Sequence, residues 1–529
     1  MKRLITRMTV LITIFIFVIM PNVEAEDGTA ELVIFHTNDL HARVSPKDDN
    51  GQTIGLAEMS AAIKAIELKN STSLWLDAGD TFHGMPQINI SQGENMVTLL
   101  NGTTLDAMVP GNHDYNYGAE QLKNFRKKLN AMILCSNVVQ SKSQKYIFKP
   151  YQIYKLANNI KVGVFGLTTP ETVYKTNPNN TSGLEFLDPI EQAQAMVEKM
   201  RSKCDVLVAL THIGIDENSE ITSDMIAKKV PGIDLIIDGH SHNALPDGLM
   251  VDNTLIVQTG WHGHRLGRVT ISLNDHKITA KKAELLTAED VEKIAPKPDP
   301  GVKEILKNIE QHNAKLLKAV VAHTDRGLAS NQEVVRRQES ELGNLVADSF
   351  RWKTGADIAV TNGGGLRADL PSGDVKRGDI MSIFVFGNTV QVAKIKGNVI
   401  REMLEHSISE YPAAFGGFLS VSGMTYSFNP SKPVGHRVGE IRIGGKPLDE
   451  EKTYKMASLD FLFDGGDGYN MLKDAEVIVK YQTAEEIMSD YLGKVGMGNI
   501  KVGRIKILKE TEVLEDTTEV KIEETKEAA

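Results

Sequence analysis

Five short clusters in the first half of the chain hold the residues best suited to chemistry: Asp39-Leu40-His41, Gly79-Asp80, Gly111-Asn112-His113-Asp114, Thr211-His212 and Gly239-His240-Ser241-His242. Together they offer two aspartates (Asp39, Asp80), one asparagine (Asn112) and four histidines (His41, His212, His240, His242) as candidate metal ligands. Mixed oxygen and imidazole donors suit Zn, Mn, Co or Fe. Two such cations about 3.5–4 Å apart can hold one phosphate, neutralise its oxygens and activate a water between them. A carboxylate is the natural bridge, because each of its oxygens can face one cation. Any one cluster could be a capped turn, a polar turn or a solvated loop; their recurrence points to phosphoester hydrolysis. Nine of the 14 histidines fall between His36 and His264. Four of them, His36, His83, His262 and His264, fit no ligand pattern and read as supporting or surface residues.

Each cluster follows an apolar run of the kind that forms a buried parallel strand. Apolar runs predict strands at residues 32–35, 73–76, 161–167, 206–210 and 234–237. Apolar residues at helical spacing predict helices at 56–68, 118–129 and 189–203. This alternation predicts a layered α/β domain over residues 26–295, with its ligands at the C-terminal ends of strands, where α/β sites sit. Pro296, Pro298 and Pro300 then break the pattern. Ile305, Ile309 and Leu316 predict a connector helix within 296–318, the natural pivot for relative domain movement. Residues 319–509 form a second α/β segment. Residues 510–529 carry eight acidic and two basic residues without apolar periodicity and read as a disordered tail.

The chain has 529 residues, too many for one core, so two or three domains are expected. Hydrophobic content of 41% with 24% charged residues describes a water-soluble globular protein. A net charge of −10 argues against a polymeric nucleic acid as partner. Residues 1–25 read as a cleaved signal peptide: Lys2, Arg3 and Arg7 precede an apolar stretch from Val10 to Met20, and Val23-Glu24-Ala25 is a small-x-small cleavage site. That stretch is short for a membrane span, an uncleaved anchor being the alternative. No later run of 18 apolar residues occurs, so the mature chain is expected to have no stable membrane span and to be secreted or periplasmic. Cys135 and Cys204 read as two buried free thiols rather than a bridge.

The order Asp-x-His, Gly-Asp, Gly-Asn-His-Asp, Thr-His, Gly-His-x-His resembles the calcineurin-like metallophosphoesterases. In the second half, Asn362-Gly363-Gly364-Gly365-Leu366-Arg367, Phe386-Gly387-Asn388 and Phe461-Leu462-Phe463-Asp464-Gly465-Gly466-Asp467-Gly468 resemble the C-terminal domain of the secreted bacterial 5′-nucleotidases. The resemblance spans residues 31 to about 508. It implies a metallophosphoesterase α/β domain joined by a helix to an α/β nucleotide-recognition domain, with two divalent metal ions as cofactors. One metal would be held by Asp39, His41, Asp80 and His242, the other by Asp80, Asn112, His212 and His240, with Asp80 as the bridge. His113 would face the substrate and stabilise the leaving oxygen, help worth about 10²–10⁴-fold.

By the same resemblance, Asn362, Arg367 and Arg336 would contact the nucleotide, Phe386 and Phe461 would sandwich the base, and Asp467 and Asn388 would bond the base or ribose. The implied activity is release of phosphate and a nucleoside from a nucleotide, as in a 5′-nucleotidase. One position departs from the pattern. Where many 5′-nucleotidases carry Asp three residues after the catalytic His, this chain has Asn116, as relatives that cleave 2′,3′-cyclic nucleotides often do. A 2′,3′-cyclic-nucleotide 2′-phosphodiesterase/3′-nucleotidase, or a pyrophosphatase acting on NAD or UDP-sugars, is therefore the alternative on the same scaffold.

Overall fold

The computed structural model describes residues 29–48, 51–70, 72–216 and 219–508. The expected signal peptide and acidic tail lie outside the described residues. In the first half the apolar runs become two six-stranded mixed sheets. One is ordered Lys277–Leu286, Leu266–Asn274, Thr29–Thr37, Ser73–Asp77, Ala107–Met108, Met132–Ile133; the other Leu249–Val251, Thr254–Val257, Leu235–Ile237, Val206–His212, Lys161–Thr168, Tyr151–Lys155.

The sheets pack face to face. On strand Thr29–Thr37, Leu32 and Ile34 point into the core between them, with Leu74, Leu76, Val164, Val208, Leu210 and Ile237. The alternate residues Val33 and Phe35 point the other way, into a core shared with helices Leu56–Glu67, Glu94–Leu100 and Ala119–Lys128. Helices Pro189–Met200 and Ser223–Lys229 cover the outer face of the second sheet. Both faces of every central strand are thus buried, which is why these strands read as continuous apolar runs. The central strands run parallel: Thr29–Thr37 beside Ser73–Asp77, and Val206–His212 between Lys161–Thr168 and Leu235–Ile237. Their C-terminal ends therefore collect along one edge of the double sheet.

Helix Pro300–Leu317 is not a free joint. Its N-cap Asp299 accepts from the backbone N–H groups of Gly301 and Val302, and also holds Ser60 and Lys64 of helix Leu56–Glu67. Val302, Leu306 and Ile309 are buried in the helix-side core of the first half. The chain passes to the second half only after Leu317. The second half is built on a five-stranded sheet ordered Leu419–Ser422, Ile358–Asn362, Thr453–Leu459, Thr389–Lys396, Glu476–Thr483. Helices Glu341–Thr354 and Ala484–Lys494 bury one face and Gly397–Ser407 the other.

Both cysteines are free; Cys135 is buried, but Cys204 is partly exposed, contrary to the expectation that both are buried. Among the described residues no helix is long and apolar enough to cross a membrane.

His36 continues the face of Leu32 and Ile34 into the inter-sheet core. It is fully buried, and neither ring nitrogen has a hydrogen-bond partner. Its ring fills the space over its strand partner Gly267, where a Cβ would lie 2.0 Å from Nε2. Burial pushes the imidazole down to about 3. The unfolded chain binds this proton near pH 6.5 and the folded chain does not, so stability falls as pH drops through that window. His36→Leu should therefore flatten the decline of urea-unfolding free energy between about pH 6.5 and 4, removing up to about 1.4 kcal/mol of slope per pH unit. Equal slopes for the two proteins would show that His36 is not neutral in the fold.

Candidate active site

Asp39 and His41 follow the first strand of this edge, Asp80 the second, and Asn112 the short third; His212 ends its strand, and His240 and His242 follow Leu235–Ile237. Two sheets thus each contribute donors to one spot. The turns that do this are strained: Asp39, His41, Asp80, His240 and His242 have left-handed backbones, with φ of 50°, 44°, 56°, 74° and 58°. Such a conformation costs a non-glycine residue about 1 kcal/mol and persists only where its surroundings over-determine it.

Two buried carboxylates supply that determination. Asp114 accepts from the backbone N–H groups of Asp80, Thr81 and Phe82 at 2.9 Å each and from Gly111 at 2.8 Å, tying the second turn to the third. Asp238 accepts from the N–H groups of Ile213 and Gly214 and from the Thr211 hydroxyl, tying His212's turn to the strand before His240. The turns meet so closely that a Cβ at Gly111 would lie 2.2 Å from Asp80 Oδ1.

All seven expected ligands come together. The Nε2 atoms of His41 and His242 are 3.3 Å apart, and His242 Nε2 is 3.4 Å from Asp39 Oδ1. His212 Nε2 is 3.3 Å from Asp80 Oδ2 and 4.0 Å from Asp39 Oδ1. On the other side His240 Nδ1 is 2.9 Å from Asn112 Oδ1. Asp39, His41 and His242 form one group with converging donor atoms, and Asp39, Asp80 and His212 another. Either group, with Asp39 common to both, could hold a metal ion. His212 Nε2 is buried and makes no hydrogen bond, although its Nδ1 is satisfied by the Ala78 carbonyl at 2.6 Å. Burial lowers His41 well below the usual imidazole range, with His113 and His242 adding to it, so its ring is neutral and free to ligate. Burial alone would raise Asp80, but the His212 charge reverses it and holds the carboxylate well below the ordinary range.

Glu171 was not visible as a site residue in the sequence. Its Oε2 lies 3.0 Å from His240 Nε2, so the far nitrogen of this imidazole meets a carboxylate while Nδ1 faces Asn112. Burial would raise Glu171, yet His240 brings it down to about 2. A carboxylate behind a histidine is the usual support of a metal-ligating imidazole. Glu171 also follows a parallel strand, Lys161–Thr168, and the strand-end rule applied to Thr168-Thr169-Pro170-Glu171 could have found it.

His113 stands beside this cluster, its backbone N–H donating to Asp80 Oδ1 at 2.8 Å. Asn116 lies 3.1 Å from His113 Nδ1 and, unforeseen, also 3.1 Å from His83 Nδ1. Burial keeps both rings neutral, pushing His83 down to about 3 and His113 well below its usual value.

The second half reaches into the same place. Phe386 stacks on His83, with ring centroids 5.2 Å apart and planes 15° apart, and lies 5.4 Å from His113. The Arg367 guanidinium sits 5.7 Å over the Phe386 ring. Burial, with the nearby Arg336 and Arg43 cations adding to it, lowers Arg367 to about 9; Arg43 is a third guanidinium the sequence reading missed. Mutually repelling, partly buried cations mark a place for an anion. Asn362 ends strand Ile358–Asn362 and donates from Nδ2 to Asp467 Oδ2 at 2.8 Å, with the Arg336 charge acting on the same carboxylate. Phe461 packs against the cores of the second half; Asn388 spends its amide on Asp460 Oδ1 at 2.9 Å, the carboxylate that also caps the Phe461 N–H. The structure thus gathers Arg367 and Phe386 at the ligand cluster and groups Arg336, Asn362 and Asp467 behind them. It turns Asn388 toward the support of Phe461.

Known proteins share this arrangement. The calcineurin-like phosphoesterase family matches residues 32–244, and the 5′-nucleotidase C-terminal domain matches residues 320–474. The crystal structure of a 5′-nucleotidase precursor from Thermus thermophilus superposes with a TM-score of 0.78 at 31% identity, covering 91% of this chain and 100% of that one. The 5′-nucleotidase of Vibrio cholerae is 28% identical over 88% of this chain and 91% of its own. The trifunctional nucleotide phosphoesterase protein YfkN of Bacillus subtilis is 31% identical over 85% of this chain, which spans only 33% of that longer protein. This chain belongs to the 5′-nucleotidase family, a metal-dependent phosphoester hydrolase with an N-terminal calcineurin-like domain and a C-terminal 5′-nucleotidase domain.

Proposed function

We propose that the chain is an extracytoplasmic 5′-nucleotidase that hydrolyses a nucleotide phosphoester to a nucleoside and phosphate. The observation that carries this reading is the position of Arg367 and Phe386: a cation for phosphate and an aromatic face, both from the second half, stand directly at the ligand cluster of the first. Asp39, His41, Asp80 and His242 would hold one divalent cation, and Asp80, Asn112, His212 and His240 the other. Bound there, the cations supply charge neutralisation and an activated water. Arg367, with Arg43 and Arg336 near it, binds the phosphoryl oxygens and sets the phosphorus against the ligand cluster. His113 donates a hydrogen bond to the leaving oxygen. Asn362 and Asp467 meet the nucleoside, and Phe461 joins Phe386 in holding the base. The extracytoplasmic location rests on the signal-like residues 1–25.

Asn116 supports a second reading, a 2′,3′-cyclic-nucleotide 2′-phosphodiesterase/3′-nucleotidase. Its amide nitrogen donates to His113 and holds that ring neutral, where a carboxylate would favour the charged form.

A substrate panel of AMP, 3′-AMP, 2′,3′-cyclic AMP, NAD and UDP-glucose, each with Mn, Zn or Co, separates these readings. The expected result is fastest phosphate release from AMP and none in EDTA; fastest turnover of the cyclic nucleotide would move the assignment to the second reading. Asp80→Ala should reduce turnover to the level of the chelated protein, and a variant that keeps full activity would refute the two-metal reading. Glu171→Gln should weaken metal binding about 10–100-fold in a titration against a competing chelator. Wild-type affinity in that variant would remove Glu171 from the support of His240.

A further inference from the structure

Asn116 does something at this position that a carboxylate could not. Its single amide nitrogen lies 3.1 Å from two imidazoles at once, His113 Nδ1 and His83 Nδ1. Its Oδ1 accepts from the buried Thr176 hydroxyl at 2.7 Å, and its carbonyl accepts from Asn180 Nδ2 at 2.9 Å. An amide nitrogen only donates. Both rings must therefore accept at Nδ1 and carry their protons on Nε2, so one side chain sets two tautomers together.

His83 is 2% exposed, and its Nε2 has no hydrogen-bond partner. Its ring lies nearly parallel to His113 (centroids 6.2 Å apart, planes 17° apart) and to Phe386 on the second half. The same stretch of the second half is docked by Asn89, whose Nδ2 donates to the Val385 carbonyl at 2.9 Å. His83 is thus a plate with the arriving second half on its face and the Asn116 amide on its edge.

We propose that His83 is a positioning residue for His113, sharing the Asn116 amide with it and letting the docking of Phe386 set the direction of the His113 Nε2–H. The inference rests on the reading in which that N–H hydrogen-bonds the leaving oxygen. Without His83 one amide N–H loses its acceptor, the Asn116 side chain is held only by Thr176 and His113, and the His113 tautomer is less firmly dictated. A nucleoside alkoxide leaves poorly and needs this hydrogen bond; 4-nitrophenolate leaves well without it.

The test compares His83→Phe, which keeps the plate and removes Nδ1, with His83→Gln, which returns an acceptor to Asn116 and removes the plate. kcat and KM are measured with the nucleotide the wild-type protein turns over fastest and with 4-nitrophenyl phosphate, alongside bound metal content. His83→Phe should lower kcat on the nucleotide about 10–100-fold, with a loss on the aryl ester at least tenfold smaller. His83→Gln should recover most of that kcat but raise KM for the nucleotide, because Phe386 has lost its platform. Equal losses on both esters at unchanged metal content would overturn the proposal, as would an undiminished kcat on the nucleotide in His83→Phe. A wild-type protein that cleaves the aryl ester but no nucleotide would refute the nucleotidase reading instead, and an alkyl phosphate then takes the nucleotide's place in the comparison.

Discussion

The site depends on one buried carboxylate, Asp114, closing on four backbone N–H groups. Those bonds tie the turn that carries Asp80 to the turn that carries Asn112 and His113. Burial and the Asp80 charge push Asp114 up to about 7 while these backbone bonds hold it down, and losing the acceptor would leave four buried donors unpaired. This clamp outweighs the strain of a left-handed Asp80 and lets its carboxylate sit within contact distance of Gly111 in the next turn. Asp238 plays the same part in the second sheet, so each sheet holds its own half of the ligand set rigid before any ligand arrives.

The segment from Glu171 to Asn180 links these halves to the rest of the protein. Glu171 supports His240, Thr176 and Asn180 hold Asn116, and Asn177 donates to Asp464 Oδ2 of the second half at 3.0 Å. His240, the Asn116–His113 pair and the second half are thus linked through ten consecutive residues. His83 and Asn89 make the matching contacts from the opposite side, on Phe386 and Val385. The second half meets the first through these polar bonds, the Phe386 ring against His83 and His113, and helix Arg377–Ile383 against helices Pro86–Asn89 and Pro300–Leu317. Such a contact is compatible with docking and release about the end of helix Pro300–Leu317, whose own apolar face is committed to the first half.

Much of this was legible in the residue order. A strand buried on both faces must be apolar throughout, so Asp, Asn and His directly after such runs stand out, and the seven ligand candidates were found that way. Helix limits such as Leu56–Glu67 and Ala119–Lys128 lie within a residue or two of what apolar spacing predicts. Other features were hidden because they depend on distance in space rather than in sequence. Glu171 and His240 are 69 residues apart, and His83 and Asn116 are 33. The bond from the Asn388 amide to Asp460 spans 72 residues of sequence.

The sequence by itself determined the donor set, the strand ends that carry it and the kind of reaction such donors serve, because period and residue type are local properties. Only the tertiary structure decided how those donors are supported. It took two sheets meeting at one edge to bring Asp39 to His242 and His212 to Asp80. It took the docking of a second half to lay Phe386 on His83 and Arg367 over Phe386. The physical reason is that hydrogen bonding and stacking act over a few ångströms, and which side chains come that close is set by packing between elements far apart in the chain.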